Sequence, residues 1–339
     1  MRKKLLRAIA CAIALSLSLA GCQQSVDLDA VRQLAASTTA ASSSYASLAA
    51  DYYQSCLRDQ HWREFDISII AERIRSSGGT QQGPATPPKA LGSADIPINK
   101  KLPDAQRTAI GQIFDSKADL AAELDCDGNA QASTQWQIWN QILVSYIAAL
   151  GNIAGGSKDD ADFGVGQLAN SLQKSKLLTN QGQVDALSKA ANDAIGALFA
   201  ARRRGEIAKF AAGPGNAFIT TYIPVLQRVA TDDYRKNMLF KEEQALDAFF
   251  NDNLLSTKVG IEALSALTYV SQWTTYRTAL DQRKQAAVAY VKSLDEIKHA
   301  HDELVAAIAN NKTNEVARII QVHLNQFGPD ITAINKAFK

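Results

Sequence analysis

The side chains whose spacing most suggests chemistry lie near residue 300. Glu296 and His299 are three residues apart, an arrangement that di-iron helical bundles use twice to hold their two metal ions. Such a site needs two Glu-x-x-His pairs and two further glutamates, and this sequence contains one pair. We therefore expect a solvated, charged helix face at His299 and no metal site.

His301 lies on a different face of the same predicted helix. Apolar residues recur there every seven positions and mark the buried side. The track is Leu280, Ala287, Leu294, His301 and Ile308. Helical residues that are two positions apart are separated by about 160° around the axis. We therefore expect His299 to face water, and His301 to be partly buried and hydrogen-bonded to a neighbour. Protonation of His301 would then make the stability of the fold depend on pH.

Two other patterns fall short of a site. Residues 123–129 resemble the first half of a calcium loop, but the twelfth position, where a bidentate Glu is needed, is Thr134. We expect a helix end there, with Gly128 as its terminator. Ser171 and Lys174 match a Ser-x-x-Lys pattern, yet the companion Ser-Asp-Asn and Lys-Thr-Gly motifs are absent from the sequence. The sequence indicates no catalytic residue, no metal ligand and no cofactor.

The first 22 residues have the form of an export signal. A basic start is followed by an apolar run of about twelve residues, too short to cross a ~30 Å hydrocarbon core. The run ends in Leu19-Ala20-Gly21-Cys22, which resembles the lipobox of bacterial lipoproteins. That resemblance implies cleavage before Cys22, a diacylglycerol on its sulfur and acylation of the new amino terminus. The alternative is an ordinary secretory signal cleaved near Ala20.

The implied covalent lipid on Cys22 would anchor the chain, because two or more acyl chains give stable membrane binding. In the lipoprotein class, an Asp directly after the lipidated cysteine usually retains the protein at the inner membrane. This sequence has Gln23 at that position. The resemblance therefore implies the outer membrane of a Gram-negative envelope, with the chain facing the periplasm or exposed at the surface.

Charge and cysteine usage agree with export. Removal of residues 1–21 takes away four basic side chains, leaving 32 basic against 34 acidic residues. This balance gives no basic footprint for nucleic acid. Cys11 leaves with the signal, so Cys56 and Cys126 remain beside the lipidated Cys22. In an oxidising compartment these two are expected to form a disulfide, with two free buried cysteines as the alternative.

The composition favours helices throughout, since the chain has 7% aromatic residues, eight prolines and many alanines. We predict an all-α fold, an elongated antiparallel bundle of long helices. It comprises an N-terminal helical segment (22–75), a Pro/Gly-rich loop (76–103) and a helical bundle (104–339) that packs with 22–75 into one domain. Breaks are expected at Gly155-Gly156 and at Gly213-Pro214-Gly215.

The most apolar segment, Gln135–Ala154, favours a central buried helix. With the implied anchor, this predicts a non-enzymatic envelope lipoprotein that acts as a helical binding, scaffold or protective accessory protein for an envelope partner. One alternative is a membrane-active helical protein that inserts the region around Ile142. A periplasmic hydrolase with an unrecognised site is the least favoured alternative.

Overall fold

A computed structural model describes residues 29–77, 126–155, 189–190, 193–194, 211–251, 263–309 and 313–338. Every regular element within these ranges is helical, and none of them contains a strand. The predicted all-α fold class is therefore confirmed. Cys22, the Ser171–Lys174 pattern and residues 78–103 of the predicted loop lie outside the described residues.

The α-helices are numbered in chain order. They are α1 (29–40), α2 (Ser42–Ser77), α3 (Cys126–Gly155), α4 (Asn216–Arg228), α5 (Leu239–Phe250), α6 (Ala263–Ala309) and α7 (Thr313–Ala337). Two π-helical stretches, Ala211–Gly215 and Val229–Met238, lie before and after α4. Helix α3 is described through Gly155, and Gly156 lies outside the described residues, so the break expected at Gly155-Gly156 stays a prediction.

Two expected helix ends were wrong. Gly128 does not terminate a helix, because α3 begins at Cys126 and runs through it. Asp127 lies in the first turn of α3, where a negative charge is stabilised by the helix dipole. Gly213 and Pro214 do not break the chain either, since they belong to a π-helical turn that leads directly into α4. Pro214 precedes the N-cap of α4, where its missing N–H is not needed.

The chain forms two compact units. The first unit comprises Met1–Ala50, Gln131–Tyr234 and Arg283–Lys339. The second unit comprises Asp51–Ala130 and Arg235–Gln282.

Helix α3 supplies much of the core of the first unit. Its fully buried side chains recur at helical spacing and include Trp136, Trp139, Leu143, Ile147 and Leu150. The predicted burial of this segment is confirmed. In the first unit, α3 runs antiparallel to α2, because Ser133 bonds to Ala49 and Asn140 bonds to Tyr45. It runs parallel to α6, where Trp136 meets Tyr290 and Tyr146 meets His301. The elongated antiparallel bundle stays a prediction.

Aromatic packing forms the core of the second unit. Phe249, Phe250 and Leu246 on α5 make a buried cluster against which Trp62 of α2 packs. The Trp62 ring lies 5.3 Å from Phe249 and 5.9 Å from Phe250, measured between centroids. Tyr276 of α6 meets the same indole edge-on at 4.9 Å. Trp62 therefore joins α2, α5 and α6 within this unit.

Helices α1 and α3 of the first unit approach each other closely at Gly151. A Cβ placed on Gly151 would lie 2.4 Å from the Cβ of Ala35, while the next nearest atoms, on Arg32 and Val31, are 3.7 and 3.8 Å away. Two methyl groups cannot occupy that space. The absence of a side chain at Gly151 is therefore what allows α1 to pack on α3.

We expect Gly151→Ala to destabilise the protein by about 1–3 kcal/mol, the usual cost of overpacking, as measured by urea unfolding. Ala35→Gly is the matched second change, because it removes the one atom that the new methyl group would strike. In the Ala35→Gly background, Gly151→Ala should leave the free energy of unfolding unchanged or raise it, since Ala is favoured over Gly within a helix by about 1 kcal/mol. Equal destabilisation in both backgrounds would contradict the proposed contact.

Candidate functional site

Cys56 and Cys126 are joined, as the sequence predicted. Cys56 of α2 and Cys126 at the start of α3 form a disulfide with an S–S distance of 2.10 Å and a Cα–Cα distance of 5.8 Å. Both residues are buried, and the Asn129 amide donates to the Cys56 sulfur at 3.1 Å. The bridge links residues that are 70 positions apart and so spans the predicted loop. A buried, bonded pair of this kind fastens the second unit together.

A buried ionic cluster lies beside the disulfide on α2. Glu242 of α5 is 2% exposed and accepts hydrogen bonds from Ser55 Oγ at 2.7 Å and from Arg58 Nε at 2.7 Å. The same guanidinium donates to Asp51 at 2.9 Å. Sequence reasoning missed this cluster, because Arg58 and Glu242 are 184 positions apart. A buried carboxylate that is fully paired in this way holds helices in register, since removal of one partner would leave an uncompensated charge.

His301 lies in the core of the first unit, more completely buried than predicted. Its Nε2 lies 3.1 Å from the Tyr146 hydroxyl, and its Nδ1 has no hydrogen-bond partner among the described residues. Burial lowers the pKa of His301 to about 4, while Asp302 raises it and Lys298 lowers it by smaller amounts. The imidazole is therefore neutral at pH 7, and a proton on it would be a buried charge with no acceptor for Nδ1.

The Glu296–His299 pair meets a third residue, from α7. His299 is exposed as predicted, and its ring stacks on His323 with centroids 5.9 Å apart. His323 Nδ1 in turn lies 2.6 Å from Glu296 Oε2. Within the described part of the chain, no group of three or more His, Cys, Asp or Glu side chains has an arrangement that could hold a metal ion. The contact is a histidine–carboxylate link between α6 and α7.

The surface feature that sequence reasoning missed is near the start of α6. Residues 267–276 are all exposed, and none of them is charged. We call four of their large apolar side chains, which lie on one side of α6, the aromatic face: Tyr269, Val270, Trp273 and Tyr276. Leu267 is also exposed, on the side of the helix opposite Tyr276. A contiguous exposed apolar surface marks an interaction site more often than a scattered exposed residue does. The available signal was the run without charge from Ala263 to Tyr276.

Polar contacts along one edge hold the aromatic face in place. Trp273 Nε1 donates to Asp247 of α5 at 3.3 Å. Arg277, one turn further along α6, bridges Asp247 at 2.5 Å and Glu243 at 2.7 Å. Since Tyr276 also packs on Trp62, the rings of Trp273 and Tyr276 are held by contacts within the protein while much of their surface faces solvent.

No protein-family model, curated protein or solved structure matches this chain. Among the described residues, the features that bear on function are the buried polar contacts between helices and the aromatic face. No described helix combines the length and the apolar character needed to cross a bilayer.

Loss of the disulfide should destabilise the protein by roughly 4 kcal/mol, the loop-closure value for a loop of this length. We expect Cys56→Ser/Cys126→Ser to lower the urea midpoint accordingly. Dithiothreitol should lower the urea midpoint of the parent chain to that of the double variant, and it should not change the midpoint of the double variant. An unchanged midpoint in the double variant would contradict the stabilising role of the bridge.

Stability should fall as the pH drops from 6.5 to 4 because of His301. An unfolded histidine takes up its proton near pH 6.5, whereas the folded pKa is about 4, so the native state binds fewer protons in this window. The decrease in the free energy of unfolding should reach about 3 kcal/mol at pH 4, and no decrease is expected above pH 6.5.

The measurement is urea unfolding at several pH values, with His301→Gln compared against His61→Gln, which removes an exposed histidine. His301→Gln should flatten the profile between pH 6.5 and 4, whereas His61→Gln should keep the parent slope. Identical slopes in the two variants would show that His301 is not responsible.

Proposed function

We propose that this chain is a non-enzymatic, lipid-anchored envelope protein whose helical scaffold presents a binding face to a protein partner. The anchor is the lipid on Cys22 that the Leu19-Ala20-Gly21-Cys22 lipobox implies. With Gln23 after the cysteine, the proposed location is the outer membrane. Mature net charge is slightly negative, which supports a protein partner more than a nucleic acid.

The buried titratable groups support a scaffold role. Glu242 is used to bind Ser55 and Arg58, and His301 is used to bind Tyr146. In each case the polar side chain connects two helices of one unit through a contact with another residue of the protein. Groups engaged in this way stabilise a fold, and they are poorly available to a substrate.

The observation that carries the binding role is the aromatic face. Trp and Tyr are the residues that most often dominate binding energy at protein interfaces, and this face exposes Trp273, Tyr269 and Tyr276 together. Residues that are held rigidly before binding lose little entropy when a partner arrives. The bond from Trp273 to Asp247 supplies that rigidity. A helix face of this kind suits the groove or helix of another protein.

Replacement of Cys22 tests the anchored role. We expect Cys22→Ser to abolish palmitate labelling and to move the chain from the membrane fraction to the soluble fraction. Cys11→Ser is the matched control, because Cys11 is removed with the signal and the variant should keep both properties. Crosslinking in intact envelopes should recover a discrete, stoichiometric partner with the parent chain only.

Palmitate labelling that survives in Cys22→Ser would contradict the anchor. Recovery of the same partner by the unanchored variant would show that binding does not depend on the membrane. Recovery of lipid alone would contradict the binding role.

A further inference from the structure

The aromatic face continues a packing seam of α6. Residues at alternating intervals of four and three form one stripe along this helix, the spacing by which helices pack side by side. Its apolar and aromatic members from Leu280 onward are buried, namely Leu280, Ala287, Tyr290, Leu294, Ile297, His301 and Leu304. The three members before Leu280 are Tyr276, Trp273 and Tyr269, which are 45%, 37% and 44% exposed. A seam built for helix packing thus extends into a stretch where the rings remain open to solvent.

We propose that the aromatic face docks against the same face of a second copy of this chain, in an antiparallel two-fold contact centred on Trp273. This inference rests on the binding role proposed above and names the partner for that face. A two-fold contact sets the same patch of both copies against itself, so a patch with charges of one sign would repel its own copy. Residues 267–276 carry no charge, and Arg277 beside them is already paired with Glu243 and Asp247.

The spacing of the aromatic residues suits an antiparallel arrangement. Tyr269 precedes Trp273 by four residues, and Tyr276 follows it by three. With a two-fold axis at Trp273, each Tyr269 lies opposite Tyr276 of the second copy, and the two indoles meet at the axis. Aromatic pairs favour such contacts in offset or edge-on geometry. The indole N–H is already bound to Asp247, so burial of the ring leaves no donor unsatisfied.

The area of the face fits a reversible dimer. From the usual size of such side chains and their exposed fractions, the face offers on the order of 400 Å² per copy. Two copies would bury about 800 Å², which is in the range of weak, transient complexes. We therefore expect a dimer that dissociates on dilution.

Sedimentation equilibrium of the full mature chain carrying Cys22→Ser measures this association. The parent should approach twice the chain mass as its concentration rises. Trp273→Glu places two like charges at the axis and should weaken the dimer by roughly 30-fold or more, the loss expected for a central aromatic residue. Val322→Glu is the matched control, since Val322 is 46% exposed and lies on α7, outside the aromatic face, and it should dimerise like the parent. Circular dichroism must show equal helicity in all three proteins.

Cysteine crosslinking tests the register independently of any charge. Trp273→Cys should form a disulfide-linked dimer under mild oxidation, while Ser271→Cys, on the opposite side of α6, should not. A mixture of Tyr269→Cys and Tyr276→Cys chains should crosslink more than either chain alone. Preferential crosslinking of Tyr269→Cys to itself would indicate a parallel contact and overturn the proposed arrangement.

A chain that stays monomeric at every concentration would overturn the second copy as the occupant. Binding of that monomer to phosphatidylethanolamine–phosphatidylglycerol vesicles through Trp273 would assign the face to lipid. A heterologous adduct captured through Trp273 in intact envelopes, without self-crosslinking, would also overturn the second copy but leave the proposed binding role standing. A dimer that forms although palmitate labelling of the parent fails would contradict the anchor alone.

Discussion

The packing of the first unit depends on aromatic side chains that are entirely buried and whose polar atoms bond to one another. The Tyr290 hydroxyl donates to Asn140 Oδ1 at 2.5 Å and accepts from Trp136 Nε1 at 3.3 Å. Asn140 donates in turn to the Tyr45 carbonyl at 3.3 Å, and the Tyr45 and Tyr290 rings meet edge-on at 4.9 Å. Burial raises the pKa of both tyrosines, so their hydroxyls stay neutral. Each bond left unmade in such a core would cost about 1–3 kcal/mol.

This network fixes the register of α2, α3 and α6 in the first unit. An apolar seam alone resists a shift of seven residues only weakly, because each heptad presents a similar surface to its neighbour. Polar partners remove that freedom, since a shifted Tyr290 would leave Asn140 without its donor. The Tyr45 hydroxyl adds a bond to Ser293 Oγ at 2.8 Å. With the register set there, His301, eleven residues after Tyr290 on α6, is held against Tyr146 of α3.

The features that the sequence predicted are those set by local periodicity or by elimination. The helical class, the burial of α3 and the apolar track that carries His301 follow from spacing along one helix, and Cys56 had a single candidate partner.

The buried link between Glu242 and Arg58 joins residues 184 positions apart, a separation at which a sequence pattern carries no information about contact. The prediction that Gly128 ends a helix was wrong because Gly128 lies inside the helix that starts at the disulfide-bonded Cys126, despite the local tendency of glycine to end helices. The aromatic face was missed because periodicity is the same in the buried and exposed parts of the α6 stripe.

Aromatic residues of the α6 stripe are buried in one part and exposed in another, and the hydrogen bonds of their polar atoms bear on this difference. Tyr290 is buried because Asn140 and Trp136 satisfy its hydroxyl inside the protein. Trp273 also has its N–H satisfied, by Asp247 at the surface, yet its ring remains partly open to water. Covering that ring therefore requires only an apolar surface of matching shape and no new hydrogen bond. Association driven in this way depends on apolar burial and on little long-range charge attraction, so screening by salt should leave it intact. The charge-free composition of residues 267–276 thus favours a partner recognised by shape and apolar contact, which a second copy of the same face supplies.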